Sequence, residues 1–239
     1  MSTRLIPAGW TSLAYWQTGE WQVVKERLQD EDQSEFCPAY RDLFASLRVV
    51  RPDACRVAII GQDPYPHLEH CTGIAFSCPA GVTELPASLV NIYKEYQSDL
   101  GYPAPKNGDL TPWCEQGVML WNAYPSCKKG SPGSHHWEEW TWLTKEIVEK
   151  LDGRVVFVFL GAIARGYIQF LRSSPYISTS HPSPLGVKHG FMGSHIFSRT
   201  NASLVELGKQ PINWRLPDAE QRGTPMHVRQ EVQDLERSS

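Results

Sequence analysis

A chain of 239 residues with 41% hydrophobic and 21% charged side chains can build one full core, which excludes a disordered or fibrous protein. Its net charge of -3 excludes a surface that is basic throughout, so any face for a polyanion has to be local. Six scattered cysteines, no apolar leader in MSTRLIPAGW and no apolar run of bilayer length argue against a disulfide scaffold, a secreted product or a membrane protein. A reducing compartment is expected: the cytoplasm, or the nucleus in a eukaryotic host.

Trp10, Trp16 and Trp21 precede an acidic stretch, Asp30 to Glu35, and then Tyr40, Leu43, Phe44 and Leu47 recur at helical spacing. Helices packed on a first strand account for this pattern, with the tryptophans in the core rather than on a stacking surface. Val57 to Ile60 is a short apolar run that ends in Gly61-Gln62-Asp63-Pro64-Tyr65-Pro66. It predicts a strand buried on both faces and a stiff loop at its carboxyl end. Ligands bind at that end of open parallel sheets, so Asp63 stands where chemistry is usually done. The plain alternative is a strand exit whose carboxylate bonds its own backbone.

Pro86-Ala87-Ser88 opens a helix with Leu89, Ile92, Tyr93, Tyr96 and Leu100 on one face and Gly101 as its C-cap. After an irregular proline-rich segment, 102–114, Gly117 to Trp121 predicts a second buried strand that delivers Asn122. Ser134 is expected to cap a helix carrying Trp140, Leu143, Ile147 and Leu151 and ending at Asp152-Gly153. A third strand, Val155 to Leu160, leads into a helix from Ala162 towards Leu171, and a fourth strand begins at Tyr176 and ends in Thr179-Ser180-His181. Asp63, Asn122 and His181 thus each follow a strand, three polar groups directed at one crevice.

From His181 to Arg215 four Lys/Arg stand against one acid, while residues 216–239 carry three Arg against five acids. The basic surface is therefore local and begins beside His181, although a solvated face gives the same count. His67, His70, Cys71 and Cys78 raise a zinc site as an alternative, but their spacing matches no common zinc pattern, and buried thiols are the simpler reading.

GQDPY after an apolar strand, then GIAFS, PASLVNIYKE, GVMLWNA, the SH pair at 134 and 135, HPSPLGV and GFMGSHIFSRTN together resemble the family 1 uracil-DNA glycosylases, in the family's order, over Phe36 to Pro217. The resemblance implies an α/β protein, a three-layer α/β/α domain with a short, largely parallel central sheet. One catalytic domain over 1–217 is expected, followed by a polar tail over 218–239 that is disordered or a short helix. It implies hydrolysis of the N-glycosidic bond of uracil in DNA after base flipping, with an abasic product, as in base excision repair, and with no metal and no other cofactor.

Residue by residue, the resemblance casts Asp63 as the carboxylate that orients water and stabilises the sugar cation. His181 becomes the donor to the pyrimidine oxygen, Asn122 the base reader, Phe76 the ring that stacks on the base, Tyr65 the block at C5, and Gln62 part of the same pocket. Leu185 matches an apolar wedge, Pro86, Ser88 and Ser183 match DNA-backbone contacts, and His135 matches a histidine on the DNA-facing side; Lys188 adds charge there. Expected partners are uracil-containing single- and double-stranded DNA and, as a further candidate, a proteinaceous inhibitor; a monomer is expected.

Two departures stand out. Pro66 follows DPY where the family usually has histidine, which removes a donor beside Asp63. Gly186 follows HPSPL where the family usually has serine, which predicts a lost phosphate contact and a looser wedge loop. Two alternatives remain: the same fold acting on another modified pyrimidine, and a catalytically weak DNA-binding or replication-partner relative.

Overall fold

Three largely apolar runs, Val57–Gly61, Val118–Asn122 and Val156–Leu160, make the centre of the molecule, because each is buried on both faces and can be satisfied only between two layers of helix, while a fourth, Tyr176–Thr179, alternates exposed and buried residues at the edge. In the computed structural model, which describes residues 5–216, the elements follow in the order α1 (Glu20–Gln29), β1 (Phe36–Cys37), α2 (Ala45–Val49), β2 (Val57–Gly61), α3 (Ala87–Leu100), α4 (Thr111–Cys114), β3 (Val118–Asn122), β4 (Cys127–Lys128), α5 (Glu138–Leu151), β5 (Val156–Leu160), α6 (Ala162–Arg165), β6 (Tyr176–Thr179) and α7 (Ile196–Glu206).

The main sheet has four parallel strands in the order β3-β2-β5-β6, and helices flank it. Every residue of β2, β3 and β5 is buried, as the continuous apolar runs require. From β2 the chain first adds β3 on one edge and then returns to lay β5 on the other, so the crevice at this reversal opens at the carboxyl end of β2. Pairing of Gly61 with Asn122 sets the ends of β2 and β3 level.

One hydrophobic cluster runs from Trp10 to Leu216 through both sides of the sheet. Trp10 and Trp21 are buried in it, and the Trp10 indole donates to the carbonyls of Leu47 and Val50. Trp16, Trp21, Phe44 and Trp140 pack edge to face beside them, so the N-terminal tryptophans are core. Gly101 caps α3 with a left-handed φ of 73° and donates to the Gln97 carbonyl.

Several boundaries differ from the sequence expectation. Tyr40–Asp42 is a short 3-10 turn and α2 starts only at Ala45, so the periodic run is two pieces. Ser134 does not cap α5, whose N-cap is Trp137. Its hydroxyl instead receives the Lys128 N–H at 2.6 Å and donates to the Ser131 carbonyl at 2.7 Å, closing a tight turn. The segment after β5 is α6 followed by a 3-10 turn, Gly166–Phe170, rather than one helix. A two-stranded antiparallel pair, β1 with β4, was absent from the expectation altogether. The tail expected over 218–239 lies outside the described residues.

Candidate active site

The site is built around an absence of side chain. A Cβ on Gly61, the last residue of β2, would lie 2.8 Å from both Asn122 Oδ1 and Phe76 Cζ. Glycine therefore lets the amide at the end of β3 and the Phe76 ring close over the strand end. Phe76 takes a left-handed backbone with φ of 64°, a conformation that costs a non-glycine residue about 1–3 kcal/mol. Two hydrogen bonds hold it: the Tyr65 hydroxyl donates to the Phe76 carbonyl at 2.9 Å, and the Ala75 N–H donates to the Leu120 carbonyl at 3.1 Å. Burial pushes the Tyr65 hydroxyl well above its usual range, so it donates as a neutral group.

Asn122 is 7% exposed, and its Oδ1 has no hydrogen-bond partner among the described residues. A buried acceptor left open costs about 1–3 kcal/mol, a cost that a ligand donor can remove. Beside the Phe76 ring stands His181, with ring centroids 5.8 Å apart. The Ser183 N–H donates to His181 Nδ1 at 3.1 Å, which puts the proton of the neutral ring on Nε2. Burial lowers the His181 pKa, opposed by the negative charge of Asp63, so the ring is a neutral donor at physiological pH.

Asp63 leaves β2 two residues after Gly61, with only 6% of its side chain exposed. Gln62 Nε2 donates to its Oδ2 at 2.8 Å. The loop is tied to the exit of β3, since the N–H groups of Ala123 and Tyr124 donate to the carbonyls of Gly61 and Gln62 at 3.1 and 3.0 Å. Asp63, Gln62, Tyr65, Phe76, Asn122 and His181 are thereby gathered at one end of the sheet.

A second set of residues forms the rim. Pro86 is the N-cap of α3 and Ser88 lies half-buried in its first turn. A groove of about 590 Å³ runs between Pro86, Val90 and Lys94 on one side and Pro184 and Val187 on the other. Asn91 Nδ2 fastens the two sides by donating to the Pro182 carbonyl at 2.8 Å. Leu185 projects from this loop with 90% of its surface exposed, and Lys188 is exposed next to it.

At Gly186, expected to loosen the loop, the backbone itself is closely packed. A Cβ there would lie 2.4 Å from the His181 carbonyl oxygen, so a serine cannot occupy this backbone. Its N–H donates to the Ser183 carbonyl at 2.9 Å, and its carbonyl receives the Ser180 hydroxyl at 2.8 Å.

His135 does not face DNA. It is fully buried, with Nδ1 2.9 Å from the Ser126 hydroxyl and Nε2 3.2 Å from a Glu31 carboxylate oxygen, stacked on Trp137. The outward residue is its neighbour His136, whose Nε2 lies 3.0 and 3.2 Å from the two oxygens of Asp63. Sequence reasoning missed His136; the only signal was the doubled histidine after Gly133-Ser134.

His67, His70, Cys71 and Cys78 do not converge as a metal site. Among the described residues the one such grouping is Glu95, Asp99 and His195, whose carboxylates already receive the backbone N–H groups of Gly193, His195, Phe197 and Ser198.

A family profile described as the uracil DNA glycosylase superfamily matches residues 47–205, and the chain belongs to that superfamily. It is 43% identical over 193 residues to a uracil-DNA glycosylase of Mycolicibacterium gilvum, covering 77% of this chain and 86% of that one. To a uracil-DNA glycosylase of Mycolicibacterium vanbaalenii it is 40% identical, over 90% of this chain and 97% of the relative. Among solved structures, a single-residue variant of mimivirus UNG in complex with UGI superimposes with a TM-score of 0.82 at 25% identity, covering 90% of this chain and 92% of that one. No helix among the described residues is long and apolar enough to cross a membrane.

Proposed function

We propose that Asp63 and His181 are the reacting groups with which this chain hydrolyses the N-glycosidic bond of uracil in DNA, leaving an abasic site. The observation that carries this reading is the unpartnered Oδ1 of Asn122, which closes with the Phe76 ring over Gly61, while a neutral histidine donor neighbours that same ring. A uracil seated on Phe76 offers its N3–H to that oxygen and its O4 to the amide Nδ2, whereas cytosine offers the opposite pattern to the amide in this orientation. Tyr65, fixed by its bond to the Phe76 carbonyl, supplies the wall that a C5 methyl group would strike.

As the bond from the sugar C1′ to the base N1 breaks, its electron pair goes to the uracil ring. His181 Nε2–H stabilises the anionic oxygen that forms there. The positive charge left on the sugar is met by the Asp63 carboxylate, which also orients a water towards C1′. The water oxygen bonds to C1′, its proton passes to Asp63, and the uracil anion departs. The base must be flipped for this, and Leu185, exposed at the tip of its loop, fits the wedge that fills the vacated stack. Pro86, Ser88, Ser183 and Lys188 line the approach as backbone contacts.

The shared core supports one catalytic domain spanning the described residues. The mimivirus complexes with UGI support a proteinaceous inhibitor as a further partner, and the bacterial relatives support a cytoplasmic setting. Single-turnover cleavage of a single-stranded oligonucleotide carrying one uracil, beside matched thymine and 5-hydroxymethyluracil substrates, tests the reading. Alkali-labile sites are expected at uracil alone. Cleavage at a C5-substituted base would overturn the role of Tyr65.

A further inference from the structure

Asp63 is expected to act on charge and water at the sugar, and such a carboxylate must be held in one orientation. Gln62 fixes one edge of it, donating to Oδ2 at 2.8 Å. The other contact comes from a residue 73 positions away, His136, whose Nε2 sits in the fork of the carboxylate at 3.0 Å from Oδ1 and 3.2 Å from Oδ2. A carboxylate in this state only accepts, so Nε2 carries the proton and donates, whatever the charge of the ring.

His136 is itself held. Its ring stacks on Tyr124 with centroids 3.9 Å apart and planes inclined by 21°. Tyr124 in turn donates its N–H to the Gln62 carbonyl at 3.0 Å, so the platform under the imidazole is fastened to the loop that carries Asp63. Gly133, at φ of 83°, lets the connecting loop pass close to the ring; a Cβ there would touch His136 Cε1 at 3.4 Å. The loop is anchored a second time where the Gly130 N–H donates to the Pro66 carbonyl at 2.8 Å. Pro66 has no N–H of its own to offer near Asp63, and its carbonyl instead secures the segment that delivers a donor from elsewhere. About a third of the His136 side chain, 31%, remains exposed at the mouth of the site.

We infer that His136 is a positioning residue for the glycosylase reaction: it locks the Asp63 carboxylate in its working orientation by the forked hydrogen bond, with Tyr124 as its stacking platform. This rests on the assignment of uracil excision to Asp63. In single-turnover excision from single-stranded uracil DNA, His136→Ala is expected to lower the saturating rate about ten- to hundredfold. The half-saturating DNA concentration is expected to stay within about twofold of wild type, since no ground-state contact to substrate is lost. His136→Gln, whose Nε2 can reach the same fork, is expected to recover most of the rate. In an Asp63→Asn background His136→Ala is expected to cost little more, because a residue acting through Asp63 has nothing left to position.

A His136→Ala protein that works at the wild-type rate overturns the inference, as does one whose loss is equally large in the Asp63→Asn background. A change confined to the half-saturating concentration makes His136 a DNA contact and overturns it too. If the wild-type protein itself leaves uracil in place, the assignment of the reaction fails, and the inference falls with it.

Discussion

His135 and His136 are neighbours in the chain, and the regions they enter differ in how far they are closed to solvent. His135 lies in a closed network: Trp140 Nε1 donates to the Ser126 hydroxyl, that hydroxyl shares a hydrogen bond with His135 Nδ1, and Nε2 lies 3.2 Å from a Glu31 carboxylate oxygen without hydrogen-bond geometry, with none of the imidazole exposed. His136 enters an open one, about a third exposed, where it meets the Asp63 carboxylate and Asn122 keeps an acceptor unpaired. Satisfied polar groups specify the fold. Open ones, held rigidly by satisfied neighbours, are where a substrate is recognised.

The contrast can be broken from either side. The largest expected effect is on the open side, where Asp63→Asn should lower the single-turnover rate by about 10²–10⁴-fold, out of proportion to any shift in Tm from the altered bonds to Gln62 and His136. On the sealed side His135→Ala should do the reverse. It leaves a cavity beside Trp137 and removes the Nδ1 partner of the buried Ser126 hydroxyl, so Tm should drop by about 2–4 °C for each kcal/mol lost, with a loss of about 1–3 kcal/mol. Excision by the folded fraction should stay close to wild type, and calorimetry paired with kinetics would separate the two.

Leu185→Ala comes next: it should weaken cleavage of double-stranded uracil DNA by about tenfold and leave single-stranded cleavage nearly untouched, as comparison of the two substrates would read directly. The smallest effect is a pH dependence. Burial lowers the pKa of both His181 and His135, so below about pH 6.5 the unfolded chain takes up protons that the folded chain refuses. That stability is present above this pH and lost as pH falls through it, and the slope of Tm against pH should be shallower in His135→Ala.

How far these regions could be read from sequence follows the range of the forces that make them. β2, β3 and β5 were legible because burial on both faces writes an unbroken apolar run, and the strand ends then located Asp63, Asn122 and His181. The Gly101 cap was legible because a left-handed C-terminus needs glycine. The two-residue pairing of β1 with β4 left no periodicity to find. Ser134 looked like a cap because a serine before a helix usually is one, and a turn bond to Lys128 took its hydroxyl instead. The inward turn of His135 and the outward turn of His136 depend on Glu31 and Asp63, more than 70 positions away in the second case, and no local pattern encodes that. Nor does sequence betray the left-handed backbone of Phe76, which is imposed by Tyr65 and by the closeness of the strand.

The bare α-carbon of Gly61 acts as a feeler gauge. With Phe76 Cζ and Asn122 Oδ1 each resting 2.8 Å from where a methyl would be, the clearance between the aromatic plate and the amide is calibrated by the β2 backbone itself. Backbone in the middle of a hydrogen-bonded sheet is the stiffest ruler a protein owns. The spacing of ring and amide is thus set by the sheet, and the loops around it can vary in sequence without disturbing it.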